Sequence, residues 1–370
     1  MESPEKNRRQ SVLLVCNTPF QVVMAVHVVR LYYPNADVDL LLSDGIKGGE
    51  WLAENAQKTN AFRTVIFLHN RRTFLTNKSI TAKLRYACGR GYELFNNRRL
   101  STRVATTHYD VLLFNNTSIF VKMLAVRLRR HNPNCRICIF EEGMSTYSHM
   151  YTDGDATTTF YRRFFDHEGL LAKVDTLYLC HPELLCWQPS RANIVTVPLI
   201  SAADRPLVEL LNGIFDYASC RDRYDRHVIF FEESHSFEGF AVPDVEIVER
   251  IAEKIGKDNI MVKIHPRNPV NRFAERGFKT NVDTAIPWEI IMLNTAFTDT
   301  VLVTISSGAV IAPFLYMGIQ SRCYSLLNCL SERPGLMKTD LGELMLRVYA
   351  AHPDIFVAPT SLDEFIDALS

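Results

Sequence analysis

The sequence predicts an α/β protein made of two Rossmann-like, doubly wound domains facing a central cleft. Three observations lead there. Short β-rich apolar runs alternate with longer stretches of helical period, which is the pattern of parallel sheets covered by helices. The alternation pauses in a stretch punctuated by Pro182, Pro189, Pro198 and Pro206, then resumes. The chain has 370 residues, and single hydrophobic cores stop growing at about 250–300. The expected division is a first domain over 1–200 and a second over 201–370.

In the first domain the apolar runs SVLLVC (11–16), VDLLLS (38–43), TVIFLH (64–69), DVLLFN (110–115) and RICIFE (136–141) read as strands. Helical periods fall between them near 20–32, 48–58, 80–95 and 118–130. In the second domain HVIFFEE (227–233), NIMVKIH (259–265), TVLVTIS (300–306) and SRCYSL (321–326) read as strands, with helices near 243–256, 286–294 and 307–317. No internal repeat interrupts the series.

Composition narrows the function classes. No apolar run reaches the roughly 18 residues of a membrane-spanning helix. The start, MESPEKNRRQ, lacks the apolar segment of a secretory signal, so a cytoplasmic location is expected. Nine cysteines, mostly inside apolar runs, read as free thiols, and Cys135 with Cys138 forms an isolated C-x-x-C in a strand rather than a metal or redox motif. Lys plus Arg and Asp plus Glu number 41 each, which argues against a dedicated nucleic-acid binder. The balance is uneven locally. Arg71, Arg72, Lys78, Lys83, Arg85, Arg90, Arg98, Arg99 and Arg103 face the single acid Glu93, and Lys122, Arg127, Arg129 and Arg130 follow. This 71–130 region reads either as a solvated helix face or as a surface for an anionic acceptor or the anionic inner face of a membrane.

Ligands of open α/β sheets collect where strands end at their C-terminal edge. One such end is Glu141-Glu142-Gly143. Alternation along a strand sends the two carboxylates to opposite faces, leaving one to support the turn and the other to act as a general base. Gly143 permits a tight turn and close approach of a ligand. A metal would need more ligands than one accessible carboxylate. A second end is His265-Pro266-Arg267, where proline stiffens the backbone behind an imidazole able to meet a phosphate or donate a proton. The third is Ser306-Ser307-Gly308, whose hydroxyls and free N–H groups at a helix start suit an anion; a plain N-cap is the equal alternative. Glu232, Glu233 and His235 end a further strand, where nucleotide contact and a surface loop both remain open.

The set CNTPFQ, FEEG, KIHPR and TISSGA, in this order across both domains, resembles the bacterial sialyltransferases of the lipooligosaccharide and capsular polysialyltransferase type. The acidic pair is Glu-Glu where many of that group carry Asp-Asp. The resemblance implies an inverting GT-B glycosyltransferase that moves sialic acid from CMP-sialic acid to a terminal galactose or sialic acid of a surface glycan. It implies Glu142 as base and His265 as acid or electrostatic partner of the leaving phosphate, with Ser306 and Ser307 holding that phosphate beside Pro266 and Gly308. Glu289 in IPWEII would bind the ribose, and Thr18, Gln21, Gly143 and Arg267 would face the sugars. No cofactor and no metal are expected. A GT-B enzyme using CMP-Kdo or a UDP-hexose, and a non-catalytic polysaccharide-assembly protein, are the other readings.

Overall fold

The computed structural model describes residues 8–69, 80–115, 118–148, 168–234, 242–268, 270–297, 299–332 and 335–369. Arg71, Arg72, Lys78 and His235 lie outside them. The chain divides into two compact units. Residues up to Glu142, with Tyr151–Pro182 and Trp187–Val197, form the first, and Gly143–Met150, Glu183–Cys186 and Pro198–Ser370 form the second.

The first unit carries a parallel sheet of strands β1 (Ser11–Cys16), β2 (Asp37–Ser43), β3 (Thr64–Leu68), β4 (Val111–Phe114), β5 (Arg136–Phe140), β6 (Thr176–Leu179) and β7 (Asn193–Thr196). Their order is β3-β2-β1-β4-β5-β6-β7. The order reverses between β1 and β4, which is where a doubly wound sheet opens a crevice for ligands. Helix α1 (Pro19–Tyr32) starts at Pro19 because proline has no N–H to lose there, and the Thr18 hydroxyl caps it by accepting the Gln21 N–H at 3.2 Å. Helices α2 (Gly49–Lys58), α3 (Ile80–Val104) and α4 (Ile119–His131) complete the crossovers.

The second unit holds β8 (Val228–Phe231), β9 (Ile260–Lys263), β10 (Lys279–Thr280), β11 (Val301–Thr304), β12 (Cys323–Ser325) and β13 (Phe356–Val357). They are again parallel, in the order β10-β9-β8-β11-β12-β13. Its helices are α5 (Arg205–Ile214), α6 (Asp244–Ile255), α7 (Arg272–Glu275), α8 (Trp288–Asn294), α9 (Ala312–Met317), α10 (Asp340–Ala351) and α11 (Leu362–Ala368). The apolar stripe Val245, Val248, Ile251 and Ala252 of α6 packs with Val228, Phe230, Ile260, Val262 and Phe273 in one core. Phe273 is fully buried, a contribution of about 1.5–3 kcal/mol from the hydrophobic effect. Alternation turns Phe231 to the other face, where it meets Trp288 edge-on with ring centroids 4.9 Å apart.

The expected helix over 307–317 is instead a 3-10 turn, Gly308–Val310, followed by the six-residue α9. Pro313 sits at the start of α9, where its missing N–H is tolerated. Helix α3 runs past the expected 95 to Val104, because Ser101 and Val104 bury against the unit and no breaker intervenes. Lys122, counted above with the basic surface, is buried in α4, and Arg129 is held by Asp175 at 2.5 Å. Among the described residues no helix is long and apolar enough to cross a membrane.

Candidate active site

In the first unit the ends of β1, β4, β5 and β6 are tied together by side chains. Glu141 is fully buried and accepts the Cys180 N–H, just beyond β6, at 2.5 Å. Glu142, half-buried, turns the other way. Its Oε1 accepts the Thr18 hydroxyl at 2.8 Å and its Oε2 the Gln21 amide at 2.6 Å. One hydroxyl, that of Thr18, thus caps α1 and donates to Glu142, and the positive end of the α1 dipole lies beside the carboxylate. Glu142 is placed from two directions at once.

Gln21 was expected to face a sugar. It is buried, its carbonyl oxygen accepts the Asn17 N–H at 2.6 Å, and its amide also reaches the Asn115 carbonyl at 3.4 Å. The side chain is therefore used up in holding Glu142. Asn115, which the sequence reading did not single out, donates to the Phe140 carbonyl and joins the end of β4 to that of β5. A polar Asn-Asn directly after the apolar run DVLLF was the available signal. Gly143 has φ 59° and ψ −171°, a region essentially reserved for glycine, so the chain can leave Glu142 in this direction only with glycine next.

In the second unit β8 is flanked by β9 and β11, and Phe231 is in register with Lys263 on one side and Thr304 on the other. The residues that follow these three positions form the candidate site. His265 opens a turn in which the Asn268 N–H donates to the His265 carbonyl at 3.0 Å, with Pro266 presetting φ. The Arg267 N–H donates to His265 Nδ1 at 3.3 Å, so in the neutral ring the proton is on Nε2. The Arg267 and Pro266 side chains are exposed, as a ligand contact requires.

The serine turn differs from expectation. Ser306 is fully buried; its N–H donates to Glu233 Oε1 and its hydroxyl to Glu233 Oε2 at 2.6 Å. The Ser307 N–H donates to Thr304 Oγ1 at 2.9 Å, and the Ala309 N–H to Ser307 Oγ at 3.3 Å. The N–H groups of Ser306, Ser307 and Ala309, read as free, are thus engaged by Glu233, Thr304 and Ser307. The donors left to a phosphate are the Ser307 hydroxyl and the N–H of exposed Gly308.

Glu289 opens α8 and is buried, with 7% of its surface exposed. Burial pushes its carboxyl up, partly opposed by Lys263. Burial likewise pushes the Lys263 ammonium down, with Glu289 opposing the shift.

Glu232 and Glu233 frame this site. The Glu232 side chain is 0% exposed and accepts the His265 N–H at 2.9 Å and Arg272 Nη2 at 3.1 Å. Arg272 in turn grips Asp244, at the start of α6, through two bonds of 3.0 and 2.6 Å. Removing one partner from such a buried ion pair costs roughly 3–5 kcal/mol.

Among the described residues, Cys220, Asp222 and Asp283 form a group with metal-ligand spacing. The Asp222 carboxylate already accepts the Val282 and Asp283 N–H groups at 2.8 and 2.9 Å, and Asp283 accepts the Arg221 N–H at 2.7 Å. The group works as a clasp between two loops. The C-x-x-C is equally inert: burial pushes the Cys135 thiol up to about 12 and the Cys138 thiol to about 11.

Two parallel, Rossmann-like sheets of this order are the frame of the GT-B fold. A family model described as Alpha-2,8-polysialyltransferase (POLYST) matches residues 12–324. The chain belongs to that family and is a sialyltransferase, acting on a nucleotide sugar and a glycan acceptor. Among solved structures it is similar to UGT89C1 of Arabidopsis thaliana complexed with UDP-L-rhamnose, at 12% identity and a TM-score of 0.56, over 98% of this chain and 90% of that one. It is also similar to a UDP-N-acetylglucosamine 2-epimerase, at 14% identity and a TM-score of 0.53, over 98% and 86% of the two chains. A third is MnaA of S. aureus with UDP, at 10% identity and a TM-score of 0.51, over 97% and 87%. At these identities the likeness is one of fold. No curated protein matches the chain in sequence.

Proposed function

We propose that the protein transfers sialic acid from CMP-sialic acid to a terminal galactose or sialic acid with inversion, Glu142 taking the proton of the acceptor hydroxyl. The observation that carries this is the division of Glu141 from Glu142: one carboxylate is sealed into the first unit, and the other is set at the β1 end by a helix cap and a buried amide. In the second unit His265 meets the leaving phosphate through Nε2, and Ser307 and Gly308 hold it. The tertiary anomeric carbon departs readily as an oxocarbenium-like centre, so the protein has chiefly to orient, remove one proton and neutralise the departing phosphate. These groups do so without a metal.

The test is incubation with CMP-sialic acid and labelled galactosides and sialosides, read by mass spectrometry, with and without EDTA. Sialylated products at equal yield in both arms are expected. Turnover only with CMP-Kdo or a UDP-hexose overturns the donor assignment, and loss of product in EDTA overturns the metal-free mechanism.

A second proposal concerns the basic region. On α3 the exposed Tyr92 and Phe95, at 57% and 67%, share a face with exposed Arg98, Arg99 and Arg103. Aromatics beside arginines suit the head-group region of an anionic bilayer. The protein should co-sediment with phosphatidylglycerol vesicles, and Tyr92→Ser with Phe95→Ser should weaken this about tenfold. Equal sedimentation of parent and variant rejects the contact.

A further inference from the structure

The mechanism above leaves Glu232 and Glu233 unused, although they end the strand between the two phosphate-binding turns. Successive side chains on a strand point opposite ways. Here that alternation gives each neighbouring turn its own carboxylate. Glu232 accepts the His265 N–H at 2.9 Å and is held by Arg272 at 3.1 Å. Glu233 accepts the Ser306 hydroxyl at 2.6 Å and the Thr304 hydroxyl at 3.3 Å. Thr304 in turn accepts the Ser307 N–H at 2.9 Å, so the carboxylate reaches Ser307 through one intermediary. The Glu233 carbonyl also accepts the Asn268 amide at 2.8 Å, which binds the far end of the His-Pro turn to the same strand.

We propose that Glu232 and Glu233 are positioning residues of the donor-phosphate site, Glu232 acting through His265 and Glu233 acting through Ser307. The inference rests on the donor-site reading above. Neither carboxylate touches the nucleotide. Both are fixed to one β-strand end, so the distance between the imidazole and the serine turn is set by the width of three adjacent strands rather than by either loop.

The two residues act on different stages of the reaction, which makes the idea measurable. A group that holds the phosphate in ground and transition states alike changes KM when it is disturbed, whereas a group that acts on the departing oxygen changes kcat. Glu233→Gln turns an amide N–H toward the donors of Ser306 and is expected to raise KM for CMP-sialic acid about tenfold with kcat within about threefold of the parent. Glu232→Gln is expected to lower kcat about tenfold or more with KM within about threefold. In a His265→Ala background Glu232→Gln should cost little further, because residues acting as a unit are not additive.

CMP affinity and thermal melting are measured on each full-length variant. Ser306→Ala, which removes a single hydroxyl, serves as the milder probe of the Glu233 arm and should raise KM in the same direction. Melting shifts with kcat and KM at parental values overturn the proposal, as does a Glu232→Gln loss that persists undiminished on top of His265→Ala. A parent that transfers sialic acid alongside such silent variants overturns this inference alone; a parent that binds no CMP overturns the donor-site reading with it.

Discussion

Glu142→Gln is expected to cut transfer by about 10³-fold while CMP binding stays at the parental level. The loss lies within the range of roughly 10²–10⁴ that a positioned acid or base supplies. Glutamine has the size of glutamate and can still accept the Thr18 hydroxyl that Oε1 accepts at 2.8 Å. It cannot take up the acceptor proton. The groups proposed to bind the nucleotide sit in the second unit, so calorimetry with CMP reads them separately from turnover. Glu141→Gln is the contrast. Its carboxylate is buried against the Cys180 N–H, and its loss should appear in thermal melting before it appears in kcat. Parental turnover in Glu142→Gln would remove it as the base.

His265→Ala should slow transfer by roughly 10²–10⁴-fold, again the range for acid–base or electrostatic help at a leaving oxygen. Alanine also deletes the acceptor for the Arg267 N–H, so the turn as well as the ring is altered. His265→Asn separates the two effects. An asparagine oxygen accepts an N–H two residues on in the same manner, keeping the turn while removing Nε2. Equal losses in the two variants assign the effect to Nε2, and recovery in the asparagine variant assigns it to the turn.

The strands that frame both sites were legible because each is a short apolar run closed by polar residues, as SVLLVC and RICIF are. Strands β6, β7, β10 and β13 were not. Strand β7 is largely exposed at a sheet edge, and β10 and β13 have two residues each, so no apolar period marks these three; β6, TLYL, is apolar and buried, and the reading passed over it. The separation of Glu141 from Glu142 followed from strand alternation alone. The partners did not. Gln21 holding Glu142, and Glu233 holding Ser306, join residues separated by 121 and 73 positions. A motif shows the residue types, but only the parallel register shows which strand ends become neighbours. The serine turn also looked richer in donors than it is, because sequence does not disclose that Thr304 and Glu233 absorb its N–H groups.

The adjacent carboxylates at the end of β5 carry a consequence for how this site tolerates insertion and deletion. Their assignments depend on parity along the strand and not on any difference between the two side chains, which are chemically identical. A one-residue slip of β5 would exchange their faces, sending Glu142 into the interior and Glu141 toward α1. It would also move the glycine-only conformation of Gly143 onto another residue. Point substitutions can therefore adjust the reach of the side chain at position 142. An odd-numbered length change in β5 inverts inside and outside together, and an even-numbered one preserves the faces.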